Sequence, residues 1–183
     1  HERSVIGNGT PCSTTMYLGI DGTGCPVRKE ETEGRKGKQP DGSAKTREVK
    51  LAVAFSADSR DKKNNPVRDE GSVTYNAAIE SAATGDLDES ISDFACRVDR
   101  ETQRRGFDKA ERQVIIGDGA VWIWNIADEL LPDAVQIIDL YHAKGTISKA
   151  AREIFGIDSD LGKQWGKECR DELEAGRIDS ILN

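Results

Sequence analysis

Two aspartates, each set between a short β-prone apolar run and a glycine, constrain this chain more than any other feature. Asp21 follows the run 16–20, and Asp118 comes just after the run 112–116. This pattern is typical of a strand that delivers a carboxylate to the point where the chain leaves the sheet and turns sharply. We therefore predict that each aspartate ends a strand and that the two carboxylates form half of a metal site. Taken singly, each is also explained as a turn residue or a helix cap.

The periodicity of the apolar residues predicts an α/β fold around these two positions. In order, the predicted elements are strands at 16–20, 49–57 and 72–78, a helix at 86–105, a strand at 112–116, a helix at 120–131, a strand at 134–140, and helices at 144–155 and 161–183. The strand, helix and strand between 112 and 140 form a βαβ unit, which implies parallel strands and a right-handed crossover.

The segments between the first three strands are polar. The segment 25–47 is interpreted either as a loop or as a loop with a short strand at Arg28 and Lys29, and 58–71 is predicted as a loop. The second strand carries its larger apolar residues at every other position, which predicts one strongly buried face. That face comprises Val49, Leu51, Val53 and Phe55.

Length and composition limit the possible classes of protein. With 183 residues the chain can bury one sizeable core, and no apolar run is long enough to span a bilayer. We expect a linker at 1–15, a core at 16–143 and a helical segment at 144–183. The net charge of −7 argues against a broad DNA-clamping surface, which needs many Lys and Arg contacts to phosphates. The four cysteines lack CxxC spacing, which excludes an ordinary zinc finger and predicts reduced thiols, with a Cys12–Cys25 disulfide as the alternative.

Four stretches carry a resemblance to a known family. They are YLGIDGTG at 17–24, EGRKGK at 33–38, GDGAVWIWN at 117–125 and IDLYHA at 138–143. Together they resemble the catalytic domain of bacterial insertion-sequence transposases of the ISKra type, which are DDE transposases related to the Mutator-like group. The resemblance implies a ribonuclease-H-like mixed sheet, with three antiparallel strands, then parallel strands with crossover helices, followed by a helical segment. In that fold the first strand is central and lies beside the fourth, so Asp21 and Asp118 would meet.

The resemblance also implies a chemistry for the two aspartates. Two Mg²⁺ ions, replaceable by Mn²⁺, would be held with Asp21 bridging both ions and Asp118 binding one. Such ions activate water and neutralise charge during phosphodiester cleavage. The enzyme would hydrolyse DNA at the ends of its element and direct the freed 3′ hydroxyl at target DNA. A glutamate on a later helix completes the set in the family. Its candidates are Glu153, Glu168, Glu172 and Glu174, or a residue beyond Asn183.

Two further motifs are candidate DNA contacts. Arg35, Lys36 and Lys38 form a basic run, interpreted either as a solvated hairpin or as phosphate contacts beside the metals. The resemblance marks Asp139 and His142 as an Asp-x-x-His signature. In this signature, His142 would contact DNA or a proton at the scissile region, and Asp139 would keep its position at a strand end. A lone histidine is equally explained as a structural hydrogen-bonding residue.

Partners and alternatives follow from the same resemblance. It implies DNA as the partner, both element ends and target, a homodimer for the full-length protein, and a place in the bacterial cytoplasm at the nucleoid. Because the sequence starts at His1 and ends in a predicted helix, we expect a piece of a longer chain. We expect this piece to be inactive, since the resemblance implies a third acidic ligand and an end-binding domain outside it. A ribonuclease H or Holliday-junction nuclease, and a non-catalytic transposase relic that binds DNA or protein, are the alternatives. Trp122 and Trp124 are predicted to pack in the core, with base stacking as the alternative.

Overall fold

The computed structural model describes residues 13–37, 39–79 and 92–182. The chain divides into two compact units at Ile137 and Ile138, whereas the sequence predicts the boundary at 143/144. None of the described helices is long and apolar enough to cross a bilayer. Most of the predicted linker at 1–15, with Cys12, lies outside the described residues, and Cys25 is a free thiol.

Five strands form a mixed sheet. In chain order they are β1 (Thr15–Pro26), β2 (Thr46–Ser56), β5 (Thr74–Ala78), β6 (Arg112–Gly117) and β7 (Val135–Ile138), while β3 (Ser59–Arg60) and β4 (Pro66–Val67) pair separately. The order across the sheet is β5-β2-β1-β6-β7, so β1 is central. β1 pairs antiparallel with β2 and parallel with β6, and β2 pairs antiparallel with β5. The predicted α/β class with a mixed sheet and helices is confirmed.

One face of the sheet is covered by helices and forms the core. Met16, Leu18 and Ile20 are buried together because alternate residues of a strand point to the same face. Ile115 of β6 pairs with Leu18 and extends the same face. Two helices, α2 (Asp93–Arg105) and α3 (Val121–Leu130), complete this core. Their buried apolar residues are Phe94, Ala95, Val98, Ile123, Ile126 and Ala127.

The predicted buried face of β2 is wrong. Ala52 and Ala54 are 1% and 0% exposed, and they pair with Ile20 and Leu18 on the helix-covered face. Small side chains there let α2 pack closely on β2. Of the predicted four residues only Phe55 is fully buried, on the opposite face, and the others are half-buried: Val49, Leu51 and Val53.

The ends of α2 follow simple capping rules. The hydroxyl of Ser92 accepts a hydrogen bond from the backbone N–H of Ala95, which caps the N-terminus. Gly106 ends the helix in the left-handed conformation, with φ of 64°, as predicted. The predicted start of this helix at 86 is wrong, because Ser92 is extended and the helix begins at Asp93; residues 80–91 lie outside the described residues.

The two predicted loops contain short elements. A single helical turn, α1 (Lys29–Thr32), occupies the place of the alternative strand at Arg28 and Lys29. The predicted loop 58–71 contains the β3–β4 ribbon, whose turn carries Asn64 with a φ of 64°. Local turn chemistry therefore builds structure that apolar periodicity does not reveal.

The second unit is helical. It contains α4 (Leu140–Phe155), α5 (Asp160–Glu174) and α6 (Asp179–Leu182). The prediction of a single helix at 161–183 is wrong, because α5 ends at Glu174 and Gly176 adopts a left-handed φ of 73°. Phe155 and Trp165 pack against each other between α4 and α5, with ring centroids 5.7 Å apart.

Candidate active site

Asp21 lies inside β1 rather than at its end. The prediction that the strand ends at Ile20 is wrong, because β1 continues to Pro26 as the antiparallel partner of β2. The parallel pairing with β6 does end at this point, since its last pair joins Ile20 to Gly117. Asp21 is thus the first β1 residue that no longer faces a β6 neighbour, and its side chain is exposed.

Asp118 immediately follows the end of β6. Its Oδ1 accepts a hydrogen bond from the backbone N–H of Ala120 at 2.9 Å, which closes a turn just ahead of α3. The N-cap residue of α3 is Ala120 and no side chain caps this helix, so the alternative of Asp118 as a helix cap is wrong. Gly119 provides the turn with a φ of 92°. The side chain of Asp118 is half-buried.

The strand register brings the two aspartates to neighbouring positions. Each lies one residue beyond the last parallel pair of β1 and β6, and adjacent strands are about 4.8 Å apart. The Oδ1 of Asp21 accepts from the N–H of Gly22 at 2.7 Å, and no described residue hydrogen-bonds Oδ2 of either aspartate. Each carboxylate therefore keeps one oxygen available for a ligand.

This donor set fits a hard divalent cation. Mg²⁺ prefers carboxylate and water oxygens and is held by as few as one or two carboxylates. Among the described residues, no group of three or more Asp, Glu, His or Cys side chains is placed to hold one ion. The four candidate glutamates lie in the second unit, each beside a neighbour: Glu153 near Lys149, Glu168 with Gln164, Glu172 with Arg177 and Glu174 with Lys144.

A basic cleft lies at the same end of β1 and β2. It has a volume of about 420 Å³, and we define it by its four cations, Arg35, Lys36, Arg47 and Lys50. Arg35 and Lys36 belong to a hairpin in which Lys36 bridges to Ser43, so the predicted hairpin is present. Lys38 lies outside the described residues.

Lys50 is the buried member of the basic cleft. Its side chain is 10% exposed, and its Nζ lies 2.8 Å from Oε2 of Glu48 and 5.4 Å from the centre of the Trp122 ring. A Cβ atom at Gly22 would lie 2.9 Å from Oε1 of Glu48, so the glycine lets that carboxylate approach the β1 backbone at the residue after Asp21. Lys50 pairs with Gly22, so the ion pair lies one residue further along β1 than Asp21.

Sequence reasoning missed Arg47, Glu48 and Lys50. The available signal is two charged residues, Glu48 and Lys50, at alternate positions of the strand, which places both side chains on one face. Their relation to Asp21 depends on the β1–β2 register. A single sequence does not specify that register across a connection of 19 residues, 27–45.

Asp139 and His142 lie at the start of α4 in the second unit. Asp139 caps this helix, since its Oδ1 accepts from the backbone N–H of His142 at 3.0 Å. The imidazole of His142 is exposed in the first turn. Asp139 directly follows β7, which agrees with the predicted strand end, and its carboxylate caps α4 there.

The two tryptophans of α3 pack against the core. Trp122 contacts Phe94 edge to face, with ring centroids 5.9 Å apart, and Trp124 also packs against the core cluster. The predicted core-packing role is confirmed.

Comparison of the chain with family models, curated proteins and solved structures found no match. The geometry around Asp21 and Asp118 and the chemistry of those residues are therefore the basis for assigning a function.

Proposed function

We propose that this chain is the catalytic domain of a DDE-type DNA transposase of the ISKra type, with a ribonuclease-H-like core. The observation that carries the proposal is the parallel register of β1 and β6, which sets Asp21 and Asp118 side by side where their pairing ends. Two carboxylates at that place suit metal-dependent cleavage of a phosphodiester. The reaction would be hydrolysis at element ends followed by strand transfer to target DNA.

The order of strands supports the same proposal. With the separate ribbon left aside, β6 is the fourth strand of the sheet in chain order, and it lies beside the central first strand. The first three strands are antiparallel to their neighbours, and the fourth is parallel to the first. This arrangement agrees with the one that a ribonuclease-H-like core requires.

The described residues suggest a division of tasks. Asp21 and Asp118 would hold Mg²⁺ or Mn²⁺, two ions in all, through their available oxygens. Bound metal would supply an activated water and neutralise charge on the leaving oxygen. In the basic cleft, Arg35 and Lys36 would contact DNA phosphates, since their side chains are exposed and form no ion pair with a described carboxylate.

Two residues of the second unit remain part of the proposal. His142 would contact DNA through its exposed imidazole, and Asp139 would position the first turn of α4 that carries it. The partners are the ends of the element and the target DNA. A homodimer would hold two ends at once.

A nicking assay tests the proposed activity. Duplexes that carry the sequences flanking the gene are incubated with the full-length protein in Mg²⁺ or Mn²⁺. We expect Asp21→Asn and Asp118→Asn each to lower the nicking rate by more than the roughly 10–100-fold that loss of an outer-sphere metal partner costs. Asp133→Asn, which removes the same charge from an exposed turn, should retain the wild-type rate. Unchanged nicking by either active-site variant would contradict the metal assignment.

A ribonuclease-H-like nuclease is the second candidate, because the same register and strand order serve it equally. The assay separates the two functions when an RNA–DNA hybrid and a branched DNA are included as substrates. Cleavage of the hybrid or the branched DNA in preference to the element ends would favour the nuclease.

A further inference from the structure

A second basic site lies in the helical unit, between α4 and α5. This helix cleft has a volume of about 260 Å³, and we define it by Arg152, Lys163 and Arg170 with the hydroxyls of Ser148 and Ser159. None of its lining residues carries a carboxylate. The cavity thus has three cations and no acid on its walls, although the chain carries a net charge of −7.

Most of the described cations in the helical unit pair with carboxylates. Four cations outside the helix cleft have carboxylate partners: Lys144 with Glu174, Lys149 with Glu153, Lys167 with Asp171 and Arg177 with Glu172. The hydrogen bond from Lys167 lowers the pKa of the Asp171 carboxyl below its ordinary value. Among the described cations of α4, α5 and α6, only Arg152 and Arg170 form no ion pair, and both line this cleft.

The guanidinium of Arg170 is held in place. Its Nη1 donates a hydrogen bond to Oγ of Ser148 across the two helices at 2.9 Å. It also lies over Gly166, where a Cβ atom would approach Nη1 to 3.2 Å. The side chain is half-buried. A guanidinium fixed in this way loses little conformational freedom when an anion binds.

The beginning of α5 adds to the positive character of the helix cleft. Ser159 caps the helix by accepting from the N–H of Gly162, and both residues line the cavity beside Lys163. The amino end of a helix carries a partial positive charge. Lys163 lies 3.3 Å from Asp160, but both side chains are largely exposed, and such pairs contribute little.

We propose that the helix cleft binds a phosphate group, as an anion site separate from the pair Asp21 and Asp118. Arg152 and Arg170 would grip the phosphate oxygens, because guanidinium groups match that geometry with two parallel hydrogen bonds. The volume holds several waters at about 30 Å³ each, which is room for a tetrahedral oxyanion. The phosphate belongs either to a nucleic-acid backbone, in which case the site rests on the proposed function, or to free inorganic phosphate.

Variants of the full chain that remove arginines inside and outside the helix cleft test this site. The double variant Arg152→Gln/Arg170→Gln is compared with Arg177→Gln, which removes an arginine of the same unit outside the cleft, and with Arg152→Gln alone. Binding of inorganic phosphate is measured by calorimetry. Binding of a short DNA duplex is measured by fluorescence anisotropy over a range of salt concentrations, in EDTA so that no metal is needed.

The salt dependence distinguishes the two sources of phosphate. For a DNA phosphate, the slope of log K against log salt should fall by about one in Arg152→Gln and about two in the double variant, and stay unchanged in Arg177→Gln. For free phosphate, calorimetry should lose its signal in the double variant only, with no change in the DNA slope. Either result supports the helix cleft.

Three results would overturn the proposal: wild-type protein that binds neither probe, a double variant that binds both as wild type does, or equal losses in Arg177→Gln. Because the Arg152 side chain is exposed, its single variant is unlike a core substitution and serves as the control for a folding defect. A change in slope without any nicking activity would leave the helix cleft in place and remove the proposed function.

Discussion

The two units hold their candidate sites in different ways. In the first unit, the backbone register of β1 and β6 positions the aspartates, above a core of large side chains that include Phe94 and Phe107 at 0% exposure. In the second unit, side chains from two helices form the helix cleft. The buried residues of those helices are small: Ala151, Gly162, Gly166 and Cys169.

Because of this difference, we expect the two sites to respond differently to amino-acid substitutions. Asp21 is exposed and Asp118 is half-buried, and neither belongs to the core cluster, so loss of function on replacing them should be chemical. The helix cleft depends on close contact between helices, so a single added side chain near Gly162 should displace its arginines. Substitutions that change packing and substitutions that change chemistry therefore test this difference separately.

The largest expected effect is loss of the core of the first unit. Phe94→Ala removes a fully buried ring that contacts Trp122, and we expect a loss of about 3–5 kcal/mol in the free energy of unfolding. Urea unfolding followed by tryptophan fluorescence measures this loss. The matched control is Val121→Ala, an apolar truncation at a side chain that is 72% exposed, which should change stability by less than about 0.5 kcal/mol. A similar loss in both variants would contradict the assigned core.

A smaller effect is expected from crowding the helix pair. In Gly162→Val the new Cβ would lie 2.9 Å from Cβ of Phe155 and 3.3 Å from the carbonyl oxygen of Ala151. Overpacking of this kind costs about 1–3 kcal/mol, more than valine gains over glycine in a helix. Amide hydrogen exchange along α4 and α5 should become faster. Gly145→Val, on α4 with no atom within 4 Å of its Cβ, should leave exchange unchanged or slower. Equal exchange in the two variants would show that close helix contact does not hold the cleft.

The sequence predicts the order of elements because apolar periodicity and capping residues are local signals. Leu18, Ile115 and Ile123 follow the expected spacings and are buried. Gly106 ends α2 as predicted, whereas the cap at Ser92 is not predicted. The break at Gly176 was missed, since a glycine within a helical pattern does not by itself specify a stop.

Features set by pairing between distant segments could not be predicted in this way. The continuation of β1 past Asp21 depends on β2, and the choice of Ala52 and Ala54 as the buried residues of β2 depends on how closely α2 approaches. The helix cleft was missed for the same reason. In the sequence Arg152 and Arg170 resemble any other surface cation. The structure distinguishes them, because neighbouring cations such as Lys149 and Lys167 pair with carboxylates whereas these two arginines form no described ion pair.

Metal binding at the paired aspartates tests the central claim most directly. Mn²⁺ titration of the full chain, followed by electron paramagnetic resonance, reports binding without requiring DNA or turnover. We expect wild-type protein and Asp133→Asn to bind Mn²⁺ alike, and Asp21→Asn and Asp118→Asn each to weaken binding by more than the roughly 10–100-fold typical of an outer-sphere change. Mn²⁺ binding that is equal in all four proteins would contradict the assignment of Asp21 and Asp118 as a metal site.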